Sequence, residues 1–202
     1  MKNVLRALLL APLLHLAPAL ANHALSAHAT CPATGDLTVV STTIRPGPWT
    51  RTVDTDTGKQ EVSVAMGVRM ILAFPGTDPF VNLKLERSVA GRYAADKAAI
   101  LAHMQAIARR APPESGDFTR RVDQGIEVVA LDNRTLTPGI VSMVVLFDDR
   151  HGVVATAYLM NPKPERRAFQ TIGEYVSLRN RLVADQTTCM ASIGGLAPQA
   201  FD

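Results

Sequence analysis

Cysteine is scarce: Cys31 and Cys189 are the only two in 202 residues. That excludes a disulfide-dense mini-scaffold. Neither cysteine has a second cysteine or a histidine at ligand spacing within a folded segment, so a thiolate metal site is excluded as well. Histidine occurs five times, and if a leader ends at Ala29 only His103 and His151 remain, too few for a histidine-rich metal site. No metal and no cofactor is therefore expected. Charge of one sign is also missing: Lys and Arg number 21 against 18 Asp and Glu, a net +3, and Lys2 and Arg6 belong to the leader described below. The nearly neutral remainder lacks the concentrated basic field that a phosphate backbone requires, which excludes nucleic acid as the partner. No Gly-x-Ser-x-Gly element occurs, so a nucleophile-elbow hydrolase is excluded. Past the first 21 residues no apolar run approaches the roughly 20 residues needed to cross a bilayer.

What is present is an ordinary globular composition, 47% hydrophobic and 19% charged, enough for one core and one domain. The chain opens with Lys2 and Arg6, continues through an apolar stretch from Ala7 to Leu20, and reaches the small-residue pattern Ala19, Leu20, Ala21. That is the layout of a secretory signal peptide over residues 1–21, or over 1–29 if cleavage follows the second pattern, Ala27, His28, Ala29. Pro12, His15 and Pro18 interrupt the stretch, which is too short for an anchor. The expected location is periplasmic or secreted, and residues 1 to about 29 are expected to pack nowhere on the domain. Export allows a disulfide, and two cysteines permit one pairing, Cys31 with Cys189, stapling the two ends of the domain together.

From Asp36 onward the pattern predicts strands at 37–43, 61–64 and 68–74, with a loop at 45–56 holding Pro46, Gly47, Pro48 and Trp49. Residues 80–87 alternate cleanly, with Val81, Leu83 and Leu85 on one face and Asn82, Lys84 and Glu86 on the other. The period then changes. Ile100, Leu101, Met104, Ile107 and Ala108 mark one face of a helix over 93–110, closed by Arg109 and Arg110, whose charges suit its carbonyl end. Hairpins follow at 118–122 with 126–131 and at 140–147 with 153–160. A second helix starts at Thr171, with Glu174 three residues on forming a capping box. Its apolar stripe is Tyr175, Leu178 and Leu182, with Cys189 one heptad later. The expected fold is α+β, an antiparallel sheet covered by two main helices in an α/β/α sandwich-like single domain over 31–190. Residues 191–202, rich in Gly, Ala and Pro, are expected to be a flexible tail. Ile100, Leu101, Met104, Ile107, Leu178 and Leu182 should be buried against the sheet.

The alternating strand followed by a long helix, the two hairpins, and the final helix entered through Phe169, Gln170, Thr171, Ile172, Gly173, Glu174 and Tyr175 resemble the Mog1/PsbP/DcrB-like group in element order. The resemblance covers about Leu37 to Cys189 and implies a role in binding partners rather than in catalysis. Residues 146–160 and 170–181 also resemble exported bacterial proteins.

Three groups of residues carry chemistry. Asp148, Asp149 and His151, with Arg150 between them, place two carboxylates and an imidazole within four positions, which a hydrolase-type enzyme could use as acid and base. Hairpin-turn chemistry accounts for them equally well. Arg109 and Arg110 with Arg120 and Arg121 flank one ten-residue loop and could converge on a small anionic ligand or an acidic protein; one of Arg120 and Arg121 should point inward toward Glu127 or Asp123. Trp49 either anchors a partner or seals the edge of the core. Together these readings point to an exported, non-enzymatic domain that binds a protein or a small envelope ligand. The alternatives are the enzyme just described and a periplasmic inhibitor or immunity protein.

Overall fold

A computed structural model describes residues 25–31, 36–112 and 116–193. Its strands are β1 (Thr38–Thr55), β2 (Gly58–Ala73), β3 (Pro79–Ser88), β4 (Asp117–Asp123), β5 (Ile126–Asp132), β6 (Gly139–Asp148) and β7 (Val153–Asn161). Helix α1 (Tyr93–Arg110) lies between β3 and β4, and helix α2 (Ile172–Ser192) follows β7. All seven strands join one antiparallel sheet in the order β1-β2-β3-β7-β6-β5-β4. The β4–β5 turn is the tight two-residue kind that suits strand twist, with Gln124 and Gly125 at φ 51° and 80°.

Side chains alternate between two cores. Val68, Met70, Leu72, Leu83, Leu85, Val144, Leu146 and Ala157 pack with Phe169, Tyr175 and Leu182 on the face that carries α2. Val62, Val64, Val129, Val145, Phe147 and Val154 pack with Ala99, Ile100 and Met104 on the face that carries α1. The helices cover the sheet only in part. Edge strand β1 leaves Val39 at 42% and Val40 and Ile44 at 60% exposure, so the expectation of a sheet covered by two helices holds loosely.

Several expectations need correction. The loop expected at 45–56 is strand: β1 runs through Pro46, Gly47 and Pro48, absorbing them in a register shift between Pro46 and Trp49. An edge strand tolerates proline because one side of its ladder is unpaired, and a bulge accommodates the missing donor. The strands expected at 61–64 and 68–74 are one strand, β2, with its own irregularity between Val64 and Met66. Helix α1 has the expected bounds but is rotated. Ile100 and Met104 are buried, Leu101 is half-buried, and Ile107 is 36% exposed, while Ala99 and Ala106 take the sheet side. Small alanines let the helix come close, and buried Asp96 accepts a hydrogen bond from the Ser63 amide at 3.0 Å. In α2, Leu182 is buried and Leu178 half-buried. The capping box is in place: Thr171 Oγ1 accepts from the Glu174 amide and Glu174 Oε2 from the Thr171 amide, both at 3.2 Å. This helix continues past Met190 to Ser192, and the rest of the expected tail, 194–202, lies outside the described residues.

The largest correction concerns the start of the chain. Residues 25–28 form one helical turn whose Leu25 and His28 are wholly buried, with Ala29 packed beside them. Cys31, 1% exposed, bridges to Cys189 with Cα atoms 5.5 Å apart. Leu25 and His28 are i and i+3 neighbours, so both face the sheet. The segment up to residue 29 therefore does pack on the domain; residues 1–24, including Leu8 to Leu14, lie outside the described residues.

Candidate functional site

The β6–β7 turn gathers two of the three residues singled out as catalytic and turns the third away. Asp148 follows Phe147, which faces α1, so alternation aims Asp148 at the opposite face, where the 25–31 segment lies. There Asp148 is wholly buried and its Oδ2 accepts from His151 Nδ1 at 2.7 Å and from His28 Nε2 at 3.0 Å. Its Oδ1 accepts from the Arg150 amide at 3.1 Å and from Arg150 Nε at 3.4 Å. Burial pushes the carboxyl pKa up, but the hydrogen bonds and charge of His28 and His151 outweigh it and bring the group to about 2. Asp149 stands on the α1 side, 60% exposed, accepting from Tyr93 Oη at 2.7 Å and from Lys97 Nζ at 2.6 Å.

Lys97 also reaches Glu127 at 2.9 Å, and Glu127 accepts from Arg120 as well. Burial alone would lift the Glu127 pKa and lower that of Lys97; hydrogen bonds and charges from Lys97 and Arg120 reverse the first, and those from Asp149 and Glu127 the second. Arg120 thus has the Glu127 partner expected of it. Arg109 and Arg110 instead reach across to Asp56 in the β1–β2 turn, Arg110 also donating to the Thr55 carbonyl, and Arg121 lies exposed on β4. The structure ties Arg109 and Arg110 to Asp56 and Arg120 to Glu127 and does not join the two pairs around one anion. Trp49 is half-buried against the α1-side core, its ring under the Arg45 guanidinium at 4.3 Å. It lies so close to Gly67 that a Cβ there would come within 2.8 Å of the indole, so any larger residue at 67 would have to displace the Trp49 ring. Trp49 seals the edge.

A concave site forms elsewhere, and sequence reading missed it. Beyond the middle of α1, the small residues Ala108 and Ala111 hold the helix over Phe118, Leu131, Met143 and Tyr158 without filling the space, leaving a cleft of about 400 Å³. Ile107 and Ile140, both exposed, stand among its lining residues. Its polar groups are few. His103 Nδ1 donates to the Asp54 carbonyl at 2.7 Å, which leaves Nε2 as the ring nitrogen free to meet a ligand. Burial raises the Tyr158 pKa, keeping its hydroxyl protonated. Asn133 donates to the Ile140 carbonyl at 3.3 Å. The sequence signal for this site was the pair Ala99 and Ala106, seven apart, which rotates Ile107 out of the core.

Comparison with known proteins finds no family model, no curated protein and no solved structure that matches this chain.

Proposed function

We propose that the protein is an exported, non-enzymatic binding domain that takes a small, largely apolar ligand into the cleft beneath the second half of α1. The observation that carries this reading is the cleft itself. At about 400 Å³ it falls in the range of small-molecule sites, and an apolar wall with a few placed polar groups is how such sites combine affinity with orientation. His103 Nε2 and the Tyr158 hydroxyl suit a ligand with one donor or acceptor group on an apolar body. The Cys31–Cys189 bridge supports a location outside the cytoplasm, and among the described residues no helix is long and apolar enough to cross a membrane.

The enzyme alternative needs Asp148, Asp149 and His151 at one solvent-accessible point. Asp148 and His151 are buried, and Asp149 is held by Lys97 and Tyr93 on the other side of the sheet. The inhibitor or immunity reading asks for an acidic or aromatic convex edge, and Trp49, the aromatic residue on β1, packs inward. The test is titration with a neutral fluorescent probe such as N-phenylnaphthylamine. Saturable, one-to-one binding is expected, weakened at least tenfold by Ala111→Trp, which fills the cleft from an exposed position and leaves the unfolding temperature unchanged. A probe that fails to bind, or binds the variant equally well, overturns the reading.

A further inference from the structure

We propose that His28, Asp148 and His151 form a binding site for one divalent transition-metal ion of tetragonal or octahedral preference, Cu²⁺ or Ni²⁺ rather than Zn²⁺. The three donor atoms, His28 Nε2, His151 Nδ1 and Asp148 Oδ2, lie within 4.8 Å of one another and all three residues are buried. Two imidazoles with one carboxylate form a donor set that divalent copper and nickel accept readily.

Spacing discriminates among ions. The two imidazole nitrogens lie within 4.8 Å of each other and must stand within about 4.2 Å to share one ion. An ion about 2.1 Å from Asp148 Oδ2 and from an imidazole nitrogen sees the pair 3.0 Å apart at an angle of roughly 90° and the pair 2.7 Å apart at roughly 80°. Those are cis angles of a tetragonal or octahedral shell. A tetrahedral ion would need donors about 3.4 Å apart at the same bond length, so zinc would have to spread both pairs.

The surroundings hold the carboxylate as a ligand is held. Its outer oxygen, Oδ1, accepts from the Arg150 amide and Nε, which leaves Oδ2 aimed between the rings. Arg150 is itself fixed, donating to the Met190 and Ala191 carbonyls at 3.4 and 3.2 Å. His28 is held by the buried Leu25 one turn before it and by the Cys31 bridge three residues after it. To coordinate, each imidazole gives the ion the lone pair of the nitrogen that faces Asp148, and the proton on that nitrogen passes to the other ring nitrogen or to water. For His151 that other atom is Nε2, which is buried and has no hydrogen-bond partner. The Arg150 charge offsets Asp148, so the ion brings net positive charge into the site, and the two imidazole bonds must outweigh that cost.

Because the donors are buried, the ion should load during folding. The exported protein, unfolded in urea and stripped by chelator, is refolded with its disulfide formed in the presence of Cu²⁺, Ni²⁺ or Zn²⁺ and freed of excess ion. A background carrying His23→Ala and His103→Gln removes two other histidines that could bind copper. One equivalent of Cu²⁺ per chain is expected, with two nitrogen couplings in its electron paramagnetic resonance spectrum. Zn²⁺ should be retained at least tenfold more weakly. His151→Gln should lower Cu²⁺ affinity at least 100-fold, and His28→Gln likewise. If either variant misfolds, the nitrogen count in the parent decides. No retained ion, a spectrum lacking two imidazole nitrogens, or folded variants that bind as the parent does would each overturn the site.

Discussion

Reducing the Cys31–Cys189 bridge should destabilise the protein about as much as the largest single core truncations, and its size can be worked out from the chain. The two residues are 158 apart in sequence, and the chain-entropy relation for a loop of that length gives about 5 kcal/mol at 25 °C. This is an upper bound, because a real unfolded chain is already compact. The variant must separate cross-linking from packing. Cys31 is 1% exposed while Cys189 is only half-buried, so Cys31→Ala also opens a gap in the core and Cys189→Ala reports mostly the lost link. Urea unfolding with and without reductant is the assay. Oxidised wild type should be more stable than Cys189→Ala by about 3 to 5 kcal/mol; reductant should bring wild type to the level of the variant and leave the variant unmoved. The urea slope of wild type should steepen on reduction, since an uncrosslinked chain exposes more surface when it unfolds. Two reactive thiols in unreduced protein unfolded in urea, or equal shifts of wild type and variant by reductant, would refute the reasoning.

Asp148 gives a prediction with a definite sign. Its folded pKa of about 2 lies below the ordinary 3.8, so its contribution is present above pH 4 and lost as pH falls from 3.8 through 2, amounting to about 2 kcal/mol. In chelator-treated protein the stability gap between wild type and Asp148→Asn, measured by urea unfolding, should therefore be about 2 kcal/mol larger at pH 5 than at pH 2; an equal gap at both counts against the hydrogen-bond account. If a leader is removed, the exported chain should begin before Leu25. Cleavage after Ala29 would discard a fully buried leucine and one of the two imidazoles on Asp148, and finding Thr30 at the amino terminus by mass spectrometry would contradict this.

Local chemistry was legible where one segment sufficed to decide it. The bounds of α1, both later hairpins and the Thr171–Glu174 box all follow from period, turn residues and caps. The cysteine pairing followed from counting. Misreadings arose where a distant partner decides. Pro46-Gly47-Pro48 reads locally as a loop, yet at a sheet edge a strand can carry it. The apolar stripe of α1 was assigned to its larger residues, whereas close approach to the sheet selected Ala99 and Ala106 and left Ile107 at the cleft. His28 was set aside because it follows a leader-like stretch, and its partner lies 120 positions away. The spacing Leu25, His28, Cys31, three residues at each step, was the available sign that one face of a turn is tied to the body of the protein.

The cleft and the buried cluster are physically separate, and strand β6 measures the separation. Ile140, at the cleft, and Asp148, in the cluster, are eight residues apart on this strand, roughly 27 Å at strand rise. Alternation also divides them between faces: Met143, Val145 and Phe147 point to α1, whereas Val144, Leu146 and Asp148 point to the α2 side. No side chain is shared between the two sets. Substitutions at sites this far apart add without coupling unless a rigid element transmits strain between them, and the element common to both is β6, paired with β7 from Gly139 to Asp148 and with β5 from Ser142 to Phe147. An ion held between His28 and His151 would therefore stabilise the anchoring of residues 25–31 without altering affinity in the cleft, and a ligand in the cleft would stabilise α1 without altering metal retention.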